Sequence, residues 1–185
     1  MTRIPDIDEK KLTPEQKRVY QAIVSGPRGK VEGPLRVWLN NPGLADPAQR
    51  LGAYCRYGTS LPQRLVELAI LLAGAHWKSG YEWAYHSPIG IEAGLDPAML
   101  DKIRRGETPH FDRDDEHAVY EFVTELLNTR RVPPPVWDRT LKLIGQAGLI
   151  DVVGIVGYYT MICFTINAFE IPVPRGVHDP FAGVT

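Results

Sequence analysis

The chain has 185 residues, a formal net charge of −1 and charges spread along its length without a block of lysine or arginine. Nucleic acid and anionic membranes are therefore poor candidates for partners, and the length fits one domain, residues 1–185, with its own core. The polar start "MTRIPDIDEKKLTPEQ" lacks the apolar segment of a secretory signal, and Cys55 and Cys163 form no C-x-x-C motif, which together predict a reduced, cytoplasmic setting.

The first third of the chain predicts three helices separated by breaks. The motif "TPEQ" from Thr13 supplies a hydroxyl N-cap, a proline at the first helical position and a glutamine at the third, so a helix should run to about Val24. The turn-rich loop "SGPRGKVEGP" follows, and then a short helix around "LRVWLNN". We expect a break at "NPGLAD", with Asp46 and Pro47 opening the next helix, "PAQRLGAYCRYG".

The next two predicted helices form a pair. Ser60 is a candidate cap and Pro62 falls in the first turn of "RLVELAILLAGAHW", which is apolar on almost every side and should therefore be buried. "GYEWAYHSPIGIEAGL" predicts the partner helix, ending at Gly94.

The last third of the chain also predicts helices. They are the short "DPAMLDKIRRG", the amphipathic "DRDDEHAVYEFVTELLNTRR", "PPPVWDRTLKLIGQAG" and an apolar helix from Leu149. The uncharged stretch "VVGIVGYYTMICFTI" has 15 residues, fewer than the roughly 20 that span a bilayer, so we expect a core or subunit-interface helix in which Gly154 and Gly157 admit a close neighbour.

No segment alternates as a strand would, so the predicted fold class is all-α with seven or eight helices. Residues 1–11 should form a polar N-terminal arm. Residues 170–185 should form an extended, proline-containing tail that lies over another surface, for which a second subunit is one candidate.

Glu67 is a carboxylate in the middle of the apolar helix. Its helical neighbours are apolar, so it should point into the core and need either a proton or a partner. Arg64, three residues earlier, would make it a structural ion pair. His86 on the next helix would make it part of an acid–base site.

Glu82 and His86 are four residues apart and thus share one face of their helix. A carboxylate beside an imidazole fixes its tautomer and raises its basicity, which suits proton transfer near neutral pH. A metal site is disfavoured because no third protein ligand accompanies the pair. Ser79 and Glu82 could instead form a capping box, which would give Glu82 a purely structural role.

Three further residues are candidates for binding a ligand. Tyr81 and Tyr85 flank the glutamate–histidine motif and could donate hydrogen bonds, although packing is the commoner role of such rings. Arg56, in "YCRYG", could hold an anionic substrate, although an exposed arginine is commoner at such a position. His178 in the tail would matter only if the tail closes over a site.

The stretch "RLVELAILLAGAHWKSGYEWAYHSPIGIEAGL" resembles the carboxymuconolactone decarboxylase family, within the alkylhydroperoxidase D-like superfamily. The glutamate inside an apolar helix, "YEWAYH" and the following "AGL" carry the likeness, together with an upstream "EGPLRVWLNNPGLADPAQRLGAYCRYG" and "NAFEIPVP" near the end. It extends from about Leu12 to Pro174. The resemblance implies an all-helical fold built on a two-helix core, assembled as a homotrimer or homohexamer with sites near subunit boundaries.

The same resemblance identifies what this chain lacks. In the alkylhydroperoxidase branch a C-x-x-C motif separates the glutamate from the histidine. Glu67 and His86 match those two residues, whereas Ser79 and Glu82 occupy the cysteine positions. Thiol-dependent peroxide reduction is therefore not expected.

The decarboxylase branch implies a cofactor-free lyase acting on a small carboxylated lactone or a related unsaturated oxo-acid from aromatic-compound degradation. In such an enzyme His86 would be the proton donor, with Glu67 setting its charge and Glu82 beside it. Tyr81 or Tyr85 would stabilise the oxyanion and Arg56 would hold a carboxylate. The substrate's own carbonyl accepts the electrons, so no cofactor is expected. A hydratase or isomerase, or a non-catalytic ligand-binding oligomer, remains an alternative.

Overall fold

The computed structural model describes residues 2–183, and within that part of the chain every regular element is a helix. A short 3₁₀ helix, Glu9–Lys11, precedes eight α-helices: α1 Pro14–Val24, α2 Pro34–Trp38, α3 Pro42–Tyr57, α4 Gln63–His76, α5 Gly80–Glu92, α6 Pro97–Arg104, α7 Asp114–Thr129 and α8 Pro134–Phe169. The all-α prediction, with its seven or eight helices, is confirmed.

Helix α4 is the centre of the molecule. Ten consecutive residues, 65–74, are buried, and the helix contacts α5, α6, α7 and α8. Surrounded in this way, an almost uniformly apolar sequence is stable as a helix in water, as its composition predicts. Helices α4 and α5 approach closely at Gly90, where an added methyl group would lie 3.1 Å from Leu71 and from Leu95. This contact aligns the two helices that carry Glu67, Glu82 and His86.

Helix boundaries follow the sequence signals in α1 but not in α3 or α4. The capping box of Thr13 and Gln16 is present. Helix α3, by contrast, starts at Pro42 and contains Pro47 in its interior, so the predicted break is wrong. Pro42 at the first helical position is an equally good start signal.

The two polar groups expected to cap α3 and α4 bind elsewhere. Asp46 forms ion pairs with Arg18 and Arg50. Ser60 donates to Asp151 of α8 through both its backbone amide and its hydroxyl group, so Pro62 precedes α4 without a side-chain cap. In both cases the polar group that was expected to cap its own helix makes a tertiary contact instead.

Helix α8 joins the last two predicted helices, and a break separates them within it. Gly145 has φ 70° and ψ 173°, a conformation that only glycine adopts easily. Among residues 2–183, α8 is the one helix long and apolar enough to cross a membrane, but 61% of its apolar window is buried inside the protein. Such burial is what a core helix shows.

The two ends of the chain pack against the helical body. In the N-terminal arm, Arg36 of α2 forms ion pairs with Asp6 and Glu9, both at 2.7 Å. In the tail, Phe181 is buried with its ring 5.8 Å from that of Trp83 in α5, so this part of the tail covers its own subunit. The tail residues Val184 and Thr185, like Met1 of the arm, lie outside the described part of the chain.

Candidate active site

Two carboxylates hold one imidazole between α4 and α5. His86 Nδ1 lies 2.7 Å from Glu67 Oε2, and His86 Nε2 lies 3.0 Å from Glu82 Oε1. All three side chains are at least 95% buried. The four-residue spacing of Glu82 and His86 and the apolar setting of Glu67 both predicted this arrangement. We call these three residues the carboxylate–histidine relay.

The relay favours a protonated imidazole. Burial by itself lowers the pKa of His86, but the charge of Glu82 and the hydrogen bonds to both carboxylates outweigh it, and the net pKa is raised. With both nitrogens protonated, the ring can donate to a carboxylate on each side. His86 therefore keeps its proton to a higher pH than an ordinary histidine does.

The far end of the relay is closed by an amide. Gln63, one turn earlier on α4, donates from Nε2 to Glu67 Oε1 at 2.8 Å, so both Glu67 oxygens have partners. The proposed ion pair between Glu67 and Arg64 is wrong, because Arg64 points to α7 and binds Asp115 and Glu116. Glu67 thus belongs to His86 rather than to a structural arginine.

Glu82 has no capping role. Ser79 precedes α5 as its N-cap residue, but its side chain makes no capping hydrogen bond, so the capping box is wrong. The Ser79 hydroxyl is buried instead. Because Glu82 contacts the imidazole four residues later, the interpretation that left it a structural residue loses its basis.

A pocket of about 50 Å³ opens on one side of the relay. Glu82 and His86 reach its wall, whereas Glu67 lies behind them. The remaining lining comes from the loop between α1 and α2 and from α2, α3, α5 and α8: Arg28, Lys30, Glu32, Pro34, Leu35, Arg56, Tyr81, Tyr85, Tyr158, Tyr159 and Ile162. The pocket is small and one of its walls is strongly basic.

All three predicted binding residues line this pocket. Arg56 lies between two rings, with its guanidinium carbon 5.1 Å from the ring centre of Tyr57 and 5.2 Å from that of Tyr85. Tyr81 and Tyr85 stack with their ring centres 6.2 Å apart. Burial raises the pKa of the Tyr81 phenol, so the group stays protonated and can act as a hydrogen-bond donor. The rings thus have both a packing role and access to the pocket.

Sequence reasoning missed the residues that the loop and α8 contribute. Arg28 and Lys30 come from the segment "SGPRGKVEGP", whose glycines predict turns but not what the turns enclose. Tyr158 and Tyr159 lie in the uncharged stretch of α8, where burial raises the pKa of both phenols. Two adjacent tyrosines in an uncharged, mostly apolar stretch were the available signal, since buried hydroxyl groups need polar neighbours.

The remaining candidates lie apart from the relay. None of the other histidines lines the pocket, and His178 is exposed on the tail. Burial raises the pKa of the Cys55 thiol to about 11, and it also raises the pKa of Cys163. Both cysteines are buried free thiols, poorly suited to nucleophilic attack.

The relay itself is not shaped to hold a metal ion. Its two carboxylates contact opposite nitrogens of one ring, so their oxygens do not converge on a common point. Among residues 2–183, no group of three histidine, cysteine, aspartate or glutamate side chains is placed to hold a metal.

Known structures share this architecture. The debrominase Bmp8, as a cysteine-to-alanine variant in complex with 2,3,4-tribromopyrrole, superposes with a TM-score of 0.73 at 15% identity over 98% of this chain and 95% of its own. An uncharacterized peroxidase-related protein from a Silicibacter species gives 0.73 at 13% identity over 94% and 91%. A putative antioxidant defence protein AhpD from Agrobacterium tumefaciens gives 0.66 at 14% identity over 77% and 99%.

Neither a protein-family model nor a curated protein sequence matches the chain. The structural likenesses nevertheless cover most of it, and they include an AhpD-like protein. The chain therefore has the alkylhydroperoxidase D-like fold, as its resemblance to that superfamily predicted. At identities of 13–15% this result concerns the fold and leaves the reaction to the residues of the site.

Proposed function

We propose that this protein is a cofactor-free lyase of the decarboxylase type, acting on a small carboxylated lactone or a related unsaturated oxo-acid. One observation carries the proposal. A buried imidazole lies 3.0 Å from a carboxylate, Glu82, which itself reaches a pocket wall, while Glu67 holds the other ring nitrogen. Such a relay moves a proton between the core and a bound ligand without any further group.

The reaction uses the parts of the pocket in a fixed order. The bond between the leaving carboxylate and the substrate carbon breaks, carbon dioxide departs, and the electron pair delocalises onto the conjugated carbonyl. A phenol from Tyr81 or Tyr85 donates to the oxygen that becomes negative. Glu82 then takes a proton from His86 and delivers it to the carbanionic carbon. A proton from solvent restores the charge of His86. One carboxylate and one proton are consumed, and one C–H bond and one carbon dioxide are formed.

We assign proton transfer to the substrate to Glu82, because His86 has no ring nitrogen free to contact a ligand. Both nitrogens of His86 already contact a carboxylate. His86 therefore supplies the proton and Glu82 transfers it. In this position Glu82 replaces a cysteine of the C-x-x-C motif that the resemblance implies for the peroxidase branch, so an acid–base group stands where that branch has a thiol.

The test is carbon dioxide release from a panel of carboxylated lactones and unsaturated oxo-acids. Wild-type protein should release carbon dioxide from at least one of them, and Glu82→Gln and His86→Gln should each reduce kcat by roughly 10²-fold or more. Glu92→Gln is the matched control: it removes an exposed carboxylate from the end of the same helix and should change kcat by less than about twofold. Full turnover by the His86→Gln variant would end the proposal.

The same relay would also serve a hydratase or an isomerase, because each of these reactions needs a proton delivered beside a conjugated carbonyl. Product mass separates the three reactions. Loss of carbon dioxide marks the lyase, gain of water marks the hydratase, and unchanged mass marks the isomerase.

A non-catalytic protein that binds at most a very small ligand is favoured by one observation, the size of the pocket. Its volume of about 50 Å³ is well below the roughly 300–1,000 Å³ usual for small-molecule sites. Ligand binding without turnover of any panel member would support this alternative.

We also propose a homo-oligomer, trimer or hexamer. In support, helices α3 and α8 leave several large apolar side chains about half exposed: Leu51, Tyr54, Ile150, Val153 and Phe164. Gly154 and Gly157 on α8 have open space around them, where a neighbouring backbone could approach. Light scattering coupled to size-exclusion chromatography gives the number of subunits, and a monomer at micromolar concentration would contradict this proposal.

A further inference from the structure

The C-terminal tail is fastened to the body of the protein at the start of α5. The ring of Phe181 is 6% exposed and packs edge-on against Trp83, with ring centres 5.8 Å apart. Arg104 of α6 donates from Nη1 to the carbonyl oxygen of Pro180 at 3.0 Å and from Nη2 to Asp101 at 2.8 Å, which fixes the guanidinium group. Helices α5 and α6 thus hold two adjacent residues of the tail.

A carboxylate of the same tail segment lies against the first residue of α5. A side-chain carbon at Gly80 would overlap the carboxylate group of Asp179 where it now stands. Asp179 Oδ1 also accepts from the backbone amide of Phe181 at 2.9 Å, and this bond ties the carboxylate to the buried ring. We call residues 179–182 the strap. Its ring and its carboxylate both contact the first turn of α5.

The start of α5 lacks a cap of its own. The first N–H groups of a helix have no intrahelical partner, and Ser79 makes no capping hydrogen bond to them. Glu82 is the acidic residue of this turn, but its carboxylate contacts His86. A negative charge at a helix N-terminus offsets the partial positive charge of the free N–H groups. Asp179 supplies that charge from the far end of the chain.

The turn that the strap holds carries Tyr81 and Glu82 to the pocket. We propose that Phe181 and Asp179 are positioning residues, which hold the first turn of α5 where Glu82 meets His86. Neither of them lines the pocket, so they act through the helix and not on a ligand. The proposal rests on the proposed function only in that Glu82 is given the step at the substrate. The positioning itself is measured without a substrate.

The first measurement is amide hydrogen exchange in the full-length protein, followed by mass spectrometry. Phe181→Ala should speed exchange in residues 79–86 by roughly tenfold or more, because the buried ring that fastens the strap is lost. Phe181→Leu keeps an apolar anchor and should restore most of the protection. Asp179→Asn keeps the shape and removes the charge of an exposed group, so roughly a two- to fivefold increase is expected. Exchange in α3, which packs on α1, α2 and α8, should not change.

The second measurement is the titration of His86, followed by nitrogen-15 NMR of protein labelled at histidine. The charge of Glu82 helps to raise the pKa of His86, so the alanine variant, in which this turn is loosened, should titrate at lower pH. The other groups that face the ring are Glu67, Tyr85 and Tyr159, and all three lie outside the first turn of α5. A tail that only adds stability would leave the midpoint where it is.

His178→Asn is the matched control, because it changes an exposed side chain of the same tail. Its exchange in residues 79–86 should stay within about twofold of wild type, with the same His86 midpoint.

The outcomes separate the strap from the reaction. Unchanged exchange in residues 79–86 overturns the proposal, and so does faster exchange with an unmoved His86 midpoint in Phe181→Ala. If Phe181→Ala does not fold, Asp179→Asn decides alone, and wild-type exchange in that variant overturns the proposal. Both expected shifts without turnover of any panel member support the strap and remove the reaction, whereas turnover with unchanged exchange does the reverse.

Discussion

Helix α4 carries two buried or nearly buried charged groups, three residues apart, with opposite surroundings. Arg64, 15% exposed, binds Asp115 and Glu116 at the start of α7, and this cluster lines no part of the pocket. Glu67, fully buried, binds His86, and that relay continues through Glu82 to the pocket wall. Burial and pairing are common to both groups.

What distinguishes the two is where the chain of polar contacts ends. The Arg64 cluster joins α4 to α7 and is complete in itself. The relay ends at an opening lined by Arg28 and Arg56, whose Nε atoms have no hydrogen-bond partner among residues 2–183. A buried charge is thus a weak sign of function alone, and it becomes a strong one when its contacts lead to a cavity.

Glu67→Gln should distinguish the relay from the Arg64 cluster by the largest effect, a loss of turnover. The amide keeps the shape of the side chain and can still accept from His86 Nδ1, but the negative charge is lost, so we expect kcat to fall by roughly 10²-fold. Loss of this carboxylate lowers the pKa of His86, which moves the alkaline limb of the rate profile to lower pH. A variant with the wild-type rate profile would contradict the relay.

Arg64→Met should lower stability and leave turnover unchanged. It leaves Asp115 and Glu116 near α4 without their cation, and because the cluster is only partly buried we expect about 2 kcal/mol of destabilisation rather than the 3–5 kcal/mol of a fully buried pair. Turnover per folded molecule should be unchanged. Urea unfolding measures the first effect and the panel assay measures the second. A variant as stable as wild type would show that the cluster is not a tie between the helices.

The smallest expected difference between the relay and the Arg64 cluster lies in how each makes stability depend on pH. The raised pKa of His86 stabilises the fold fully below its ordinary value of 6.5, and the contribution is lost as pH rises through the pKa of the folded state. Asp115 behaves in the other direction. Burial raises the pKa of its carboxyl group, but Arg64 outweighs this, and the net pKa is lowered from 3.8. Its contribution is therefore present above 3.8 and is lost as pH falls through the folded value.

Urea unfolding measured from acid to alkaline pH gives both the acid and the alkaline decline in stability. Glu67→Gln should flatten the alkaline decline, because it removes one of the groups that raise the pKa of His86. Arg64→Met should flatten the acid decline instead. Loss of both limbs in a single variant would mean that the two groups are coupled through α4.

Local sequence patterns predicted that the three members of the relay could come within reach of one another. Glu67 stands in an apolar helix and Glu82 and His86 are four apart, so periodicity alone places them in reach once two adjacent helices pair. The choice between structural and functional partners was beyond these patterns. Whether Glu67 met Arg64 or His86 depended on where α7 lies, and α7 is distant in the chain.

The basic wall of the pocket was the least predictable part. Arg56 could be suggested from its place just before α4, but Arg28 lies in a loop with no periodicity. Its position depends on the hydrogen of Gly52 and on Tyr158, which is 130 residues away. The start of α3 was missed for a related reason: two prolines, Pro42 and Pro47, offered the same local signal, and tertiary packing of the intervening turn decided between them.

Gly52 contacts one part of the candidate site and not the other. A glycine codon is one nucleotide away from an alanine codon, and a methyl group at this position would push Arg28 and Tyr158 out of place. It would leave Glu67, His86 and Glu82 untouched on their own helices. A single nucleotide change there would therefore alter the arginine-lined wall of the pocket and leave the carboxylate–histidine relay in place.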